Sequence, residues 1–186
     1  MDQIMGDPTK FVRKISFDGG TRVVRDTQEF LVVLPIESTD CKNERNVIAI
    51  WVEGAVFSRA PNSVISKKEK QVAARALTAF KTLVSLLRPT YASITVEYGL
   101  ENPCDLRRDS RSLAFRDFYL DRGECGDGFL EELRVKFPNS LRADHADGQI
   151  TITTPAFRIA AGDESVDDNG YELSEFVGRG IGNLIT

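Results

Sequence analysis

A helix-forming segment that begins at Ser66 places the strongest limit on the fold of this chain. Glu69 follows Ser66 by three residues, the spacing at which a hydroxyl and a carboxylate cap the first helical turn reciprocally. Pro89 stops the helix, because proline lacks an amide proton and clashes with the preceding turn. The spacing predicts an amphipathic helix of about six turns, with basic outer positions typical of a solvated face and an acidic partner as the alternative. Its apolar residues recur at three- and four-residue intervals: Val72, Ala76, Phe80, Leu83 and Leu87.

Short β-prone runs flank this helix on both sides. A turn at Asp18-Gly19-Gly20 separates the first two runs and predicts a hairpin. Pro35 is expected to end the third run. Short strands joined by short polar connections favour an antiparallel sheet. The predicted strands in and around the first half of the chain are 11–17, 21–24, 30–34, 47–52 and 91–98.

The second half of the chain has fewer clear elements. Strands are predicted at 113–120 and 149–153, and Gly123–Gly128 is read as a loop. Asp127 is placed to cap a short helix from Phe129 to Phe137. Residues 155–170 read as an acidic loop, and residues 172–186 as a helix interrupted by glycines. The fold class predicted is α+β, a mainly antiparallel sheet packed against one long helix and one or two shorter ones, in a single globular domain over 1–186 with loosely packed C-terminal residues.

The net charge of −4 is distributed unevenly along the chain. Residues 1–99 contain 14 Lys/Arg and 11 Asp/Glu, whereas residues 100–186 contain 10 and 17. Binding to a nucleic-acid backbone depends on clustered Lys and Arg, so the acidic half disfavours that function. An acidic surface instead suits a protein partner that has a basic surface.

The cysteines and the hydropathy pattern indicate a cytoplasmic protein. Cys41, Cys104 and Cys125 are odd in number and form no C-x-x-C pair, which fits neither a disulfide framework nor a zinc site. No secretory signal is visible at the N-terminus. The apolar runs are far shorter than the roughly 20 residues of a membrane helix, so no membrane association is expected.

Catalytic and metal-binding motifs are not recognisable. The only histidine, His145, would have to be the base of a Ser or Cys hydrolase, yet no candidate nucleophile lies in a Gly-x-Ser-x-Gly elbow. One histidine excludes metal sites built on several. A histidine in a polar loop is the favoured interpretation, with no enzyme activity, cofactor or metal expected.

Two other segments only partly match ligand-binding motifs. The run from Gly178 to Gly182 follows a helical pattern, not the strand that precedes a dinucleotide-binding turn. An EF-hand loop starting at Asp163 would need Gly and Glu where the chain has Asp168 and Ser174. A flexible terminus and an acidic surface loop are the preferred interpretations. The acidic pairs without distinctive spacing are Asp105/Asp109, Asp117/Asp121 and Glu131/Glu132.

Four segments, covering under half of the chain, are similar to bacterial immunity proteins: Leu86–Tyr98, Arg111–Tyr119, Gly128–Leu133 and Gln149–Thr153. Through them the chain resembles the immunity protein 52 family, a member of which neutralises the type VI effector TseT. The resemblance implies an antidote that binds a nuclease toxin of a type VI secretion system. An acidic protein can occupy the toxin's basic cleft and block substrate, and binding away from the cleft is the other mode.

The expected contact surface is therefore acidic. The first choice of residues is Asp163, Glu164, Asp167, Asp168, Glu172 and Glu175, and the second is Asp121, Glu124 and Asp127. Two alternatives remain open. One is an adaptor or structural component of another assembly. The other is an enzyme of unrecognised type, which would need His145 or carboxylates to converge with Arg107, Arg108 or Arg111.

Overall fold

The computed structural model describes residues 13–17, 20–26, 30–37, 47–52, 65–96, 106, 114–163 and 170–184. The strands in these ranges are β1 Arg13–Phe17, β2 Gly20–Asp26, β3 Phe30–Glu37, β4 Val47–Val52, β5 Tyr91–Val96, β6 Asp117–Asp121, β7 Leu141–His145 and β8 Gly148–Ile152. The α-helices in the same ranges are α1 Lys67–Leu87, α2 Arg122–Lys136, α3 Pro155–Ala160 and α4 Gly170–Leu184. All the strands join one sheet in the order β1-β2-β3-β4-β5-β6-β8-β7.

The sheet is mainly antiparallel, which confirms the predicted α+β class. The hairpin predicted around residues 18–20 is present as β1 paired with β2. The exception is β4, which pairs with β5 in parallel. This pair was not predicted. Its cause is α1, because a long helix between two strands returns the chain to the end where the first strand began.

Two apolar cores lie on opposite faces of the sheet. Successive residues of a strand point to opposite faces, so Tyr119 of β6 joins one core while Phe118 and Leu120 join the other. The first core, core A, contains the apolar sides of α1 and α3. The second, core B, contains those of α2 and α4. Helices therefore cover both faces of the sheet from β4 to β8.

Helix α1 begins and ends as the sequence predicts. The Glu69 amide donates to the Ser66 hydroxyl at 3.2 Å, and the Glu69 carboxylate accepts from the Ser66 amide. Arg88 takes a left-handed conformation with φ 44° and donates its amide to the Val84 carbonyl, and Pro89 follows. The buried side of α1, including Val72, Ala76 and Phe80, is the apolar stripe of the sequence.

Helix α2 differs from its prediction. The Asp121 carboxylate, not Asp127, caps it by accepting from the Glu124 amide at 2.9 Å. The segment Gly123–Gly128 is helical instead of a loop, with a break at Gly126, where φ is 78°. The helix continues directly after this break, so Asp127 lies inside the element. Asp127 directly follows the break at Gly126, so it lies at the start of the second part of α2 and not at the start of the whole helix.

The strand predicted at 113–120 begins only at Asp117. The preceding backbone is held by side chains: the Phe115 amide donates to the Ser174 hydroxyl at 2.8 Å, and the Ser93 hydroxyl donates to the Ala114 carbonyl. Serine side chains thus make the backbone hydrogen bonds that a neighbouring strand would otherwise make with this segment.

The last third of the chain is more ordered than the sequence suggests. Residues 155–160 form α3 instead of a loop, with Pro155 at the first helical position, where its missing amide proton costs nothing. Helix α4 runs unbroken to Leu184, and Leu173, Val177 and Ile181 are fully buried. The expectation of a helix interrupted by glycines is therefore wrong for residues 170–184.

Two strands also differ from their predictions. β3 continues past Pro35 to Glu37, with Pro35 opposite Arg22 beside an irregularity in the β2–β3 register. Proline is accommodated near such irregularities because a ladder hydrogen bond is already missing there. β7 was not predicted, although Leu141, Arg142, Ala143 and Asp144 alternate between apolar and polar residues. It lies at the edge of the sheet.

Candidate functional site

His145 lies on β7 and contacts α1. Its Nε2 is 2.9 Å from the Lys81 carbonyl oxygen and 3.0 Å from the Ser85 hydroxyl. A ring nitrogen that donates to a main-chain carbonyl is fixed in its tautomer and orientation. His145 therefore holds the β7–β8 hairpin against the second half of α1.

Cys125 lies in core B, on the opposite face of the sheet from the helix that His145 contacts. Burial, together with the nearby carboxylates of Asp121 and Glu124, raises the pKa of its thiol to about 12. The nucleophile of a Cys hydrolase needs a lowered pKa and an adjacent base. Cys125 has neither of these features, whereas Cys41 and Cys104 lie outside the described residues.

Asp117 is a fully buried carboxyl at the start of β6. Its Oδ1 accepts from the Thr153 amide at 2.9 Å and from the Thr154 amide at 3.0 Å, and its Oδ2 accepts from the Thr154 hydroxyl. Burial raises the pKa of Asp117 above its ordinary value, and these hydrogen bonds oppose the rise. Asp117 thereby ties β6 to the turn between β8 and α3.

The acidic pairs of the sequence have separate roles in the structure. Asp117 and Asp121 lie at opposite ends of β6, one buried beside Thr154 and the other capping α2. Glu131 and Glu132 are both exposed on α2, and Glu131 pairs with Arg134 at 2.8 Å. Asp105 and Asp109 lie outside the described residues, as do Arg107, Arg108 and Arg111. Within the described ranges, no three His, Cys, Asp or Glu side chains group as metal ligands.

Asp163, the first residue of the predicted contact surface, is engaged within the chain. Its Oδ2 accepts from Arg158 Nε at 3.1 Å and from Nη2 at 2.7 Å. The Arg158 side chain is only 4% exposed and that of Asp163 is 25% exposed. Removing one partner of a buried ion pair leaves an uncompensated charge, which is strongly destabilising. Asp163 therefore stabilises the end of α3.

The other predicted contact residues fall into two groups. On α2 and at its start, Asp121 is a cap, Glu124 is half-buried, and exposed Asp127 pairs with Arg122 at 3.4 Å. On α4, Glu172 and Glu175 are exposed, and Glu175 pairs with Arg179 at 2.9 Å. Glu164, Asp167 and Asp168 lie outside the described residues.

These two groups share one layer of the fold, because α2 and α4 pack side by side under β6. The Phe129 and Phe176 rings stack with centroids 5.6 Å apart. A side chain at Gly180 would overlap the Phe129 ring, so glycine allows the helices to approach. The Lys136 ammonium lies 4.4 Å from the centre of the Phe176 ring. The fold thus places predicted acids from distant parts of the sequence on one face.

An exposed aromatic residue at the start of α4 is not among the contact residues predicted from the sequence. Tyr171 is 54% exposed, and the Arg116 guanidinium lies 4.9 Å from the centre of its ring. Gly170 is buried against Arg116, where a Cβ would overlap the guanidinium. In the sequence, the only indication of this site is a tyrosine in a strongly acidic segment. The contact of Tyr171 with Arg116 joins residues 55 positions apart, so it depends on the tertiary fold.

The described part of the chain contains no helix that is both long enough and apolar enough to span a membrane. Comparison of the chain with profiles of protein families, with curated proteins and with solved structures gave no match.

Proposed function

We propose that this chain is an immunity protein that binds and neutralises a cognate antibacterial nuclease toxin of a type VI secretion system by direct contact. Two features of the sequence motivate the proposal: the resemblance to the immunity protein 52 family and the acidic second half. The observation that carries it in the structure is exposed Tyr171, stacked on Arg116 beside the acids of α4.

Tyr171 has the properties of an anchor residue in a protein interface. Tyrosine and arginine are enriched among the residues that dominate binding energy, and tyrosine has few rotamers to lose. The Arg116 guanidinium, 4.9 Å from the ring centre, holds the ring in one orientation before a partner arrives. A group that is already ordered costs less conformational entropy on binding.

The charge around Tyr171 suits a basic partner. Exposed Glu172 directly follows Tyr171, exposed Glu175 lies one turn later on α4, and the acidic stretch 163–168 precedes the helix in sequence. A nuclease binds phosphates and therefore presents a basic cleft, towards which acidic side chains steer association. Because Asp163 is paired with Arg158, we place Tyr171, Glu172 and Glu175 at the centre of the contact surface.

The test begins with capture of the partner. Tagged chain is incubated with lysate of its native host at low and at moderate salt, and captured proteins are identified by mass spectrometry. The captured protein is then purified and assayed for nuclease activity with and without the chain. We expect a stoichiometric nuclease whose activity the chain abolishes. Capture of a non-nuclease, or of a nuclease that remains active in the complex, would contradict the proposal.

The contact surface has its own test with the same partner. Tyr171→Ala should weaken binding by about 30-fold or more, as truncation of an interface anchor does. Val135→Ala is the matched control, since Val135 is 71% exposed on the neighbouring helix α2. Glu172→Lys with Glu175→Lys should also weaken binding, chiefly at low salt, compared with Glu131→Lys and Glu132→Lys on α2. Equal effects of test and control variants would show that the contact surface lies elsewhere on the chain, and they would not contradict the proposed immunity function.

A further inference from the structure

The outer face of α1 has the highest density of positive charge among the described helices. Between Lys67 and Leu87 there are five Lys or Arg residues and one acid. That acid, Glu69, is 4% exposed, and its carboxylate accepts from the Ser66 amide, so it belongs to the capping box and not to the outer face. The opposite layer, α2 with α4, has six acids and four bases. Helix α1 and the layer of α2 with α4 therefore carry net charges of opposite sign.

The exposed residues of α1 are arranged in three rows. With 3.6 residues per turn, Lys67, Gln71, Ala74 and Thr78 follow one another along the centre of the exposed side. The Thr78 hydroxyl donates to the Ala74 carbonyl at 2.8 Å, so the middle of this row is short and satisfied within the helix. Further cations lie on either side of it, with Lys70 and the partly exposed Lys81 on one side and Lys68 and Arg75 on the other.

This arrangement fits an acidic helix. The small side chains of Ala74 and Thr78 permit close approach of a second helix axis at the middle of α1, at about 8–10 Å. Cations on both flanks then meet carboxylates on the partner, as charged residues flank the seam of a coiled coil. Leu86, 58% exposed near the C-terminal end of α1, adds an apolar contact.

Two other anionic partners fit less well. A nucleic acid would meet a chain of net charge −4, and single-stranded binding also uses aromatic side chains, whereas α1 exposes none. A lipid surface would need an apolar helix side to insert, but that side of α1 is buried in core A through residues such as Val72, Phe80 and Val84.

We propose that the outer face of α1 is a docking surface for an acidic helical segment of another protein, distinct from the Tyr171 surface. The two surfaces belong to helices on opposite faces of the sheet, so both can be occupied at once. This inference does not depend on the immunity function, because it rests on α1 alone.

The probe is a fluorescein-labelled helical peptide of Glu, Ala and Leu repeats, similar in length to α1, titrated with the full chain and followed by anisotropy. The test variants are Lys68→Glu with Arg75→Glu, and Lys70→Glu with Lys81→Glu. The control is Lys136→Glu with Arg179→Glu, which makes the same change in charge on the opposite helices. We expect at least about a 10-fold loss of affinity in each test variant and less than about a 3-fold loss in the control. Circular dichroism verifies that every variant is folded.

Several outcomes would overturn the inference. Absence of peptide binding at low salt is one, and equal losses in test and control variants, which would indicate unspecific charge attraction, are another. Tighter binding to a DNA duplex or to phosphatidylserine vesicles, lost in the same test variants, would assign the face to a nucleic acid or a membrane. Self-association of the chain alone in sedimentation, abolished by the test variants, would identify the occupant as a second copy.

Discussion

At the scale of single residues, chemically reactive side chains of the described ranges are used to hold the fold together. His145 fastens a hairpin to α1, Cys125 is buried with its pKa raised to about 12, and Asp163 neutralises Arg158. Asp117 is buried most completely, among the amides and hydroxyl of Thr153 and Thr154. A buried carboxyl is expensive when charged, so its effect on stability must depend on pH.

The Asp117→Asn variant should show that dependence. Burial raises the pKa of Asp117 in the folded state above its ordinary value of 3.8. The contribution of Asp117 to stability is therefore fully present below the unfolded pKa and is lost as pH rises through the folded pKa. Because Asn does not titrate, the free energy of unfolding of Asp117→Asn, relative to the unsubstituted chain, should increase with pH in this window, by up to about 1.4 kcal/mol per pH unit.

Urea denaturation of both proteins at a series of pH values from acidic to neutral measures this difference. If instead the unsubstituted chain gains stability over Asp117→Asn as pH rises, the hydrogen bonds from Thr153 and Thr154 outweigh burial, and the pKa of Asp117 is lowered in the fold.

At the scale of elements, close backbone contacts decide where strands and helices can lie. Gly148 begins β8 opposite Asp121 of β6, and a Cβ at this position would overlap the Leu120 carbonyl oxygen and the Tyr119 ring. Gly180 has the same role between α4 and the Phe129 ring. From the sequence alone, the C-terminal glycines are expected to interrupt the helix, because glycine disfavours a helix locally. In the fold they permit packing.

Replacement of Gly148 by alanine should therefore destabilise the chain by about 3 kcal/mol, since the backbone carbonyl of Leu120 cannot move aside. Gly128→Ala is the matched control: Gly128 is exposed on α2, and a Cβ there meets no atom within 4 Å. That control should be neutral or should stabilise the chain by up to about 1 kcal/mol, as alanine favours a helix. Thermal and urea unfolding measure both. Equal stability of the two variants would mean that β8 does not approach β6 so closely.

At the scale of the whole molecule, one sheet separates two cores, and α1 on one face differs in the sign of its net charge from α2 with α4 on the other. β5 and β6 contribute to both cores, with Ala92 and Tyr119 in core A and Tyr91 and Phe118 in core B. Loss of either core should then disrupt the strands that the other requires. The prediction of a single domain therefore implies that both cores unfold in one cooperative transition, which an unfolding experiment can test.

Phe80→Ala in core A and Leu133→Ala in core B should each cost about 3–4 kcal/mol, as both side chains are fully buried. In each variant, far-UV circular dichroism and fluorescence of the single tryptophan, Trp51 on β4, should report the same transition. Val135→Ala, at an exposed site, should change stability by less than about 0.5 kcal/mol. Two separate transitions in either core variant would show that the cores unfold independently.

Features that depend on neighbouring residues could be predicted from the amino-acid sequence. The capping box of Ser66 and Glu69, the apolar stripe of α1 and the runs that became β4, β5 and β8 are local patterns, and each forms as predicted. The charge of a surface is likewise set by composition, so the acids of α2 and α4 could be predicted as a group.

The remaining features depend on pairs of residues that lie far apart in the chain, so they could not be predicted before the fold was known. The parallel pairing of β4 with β5, the late start of β6 beside Ser93 and Ser174, and the unbroken α4 are fixed by packing and not by local preference. The same holds for the candidate surface. The sequence offered Asp163 and Glu172 as equivalent acids, but Arg158 binds Asp163 inside the chain, whereas Glu172 is exposed beside Tyr171.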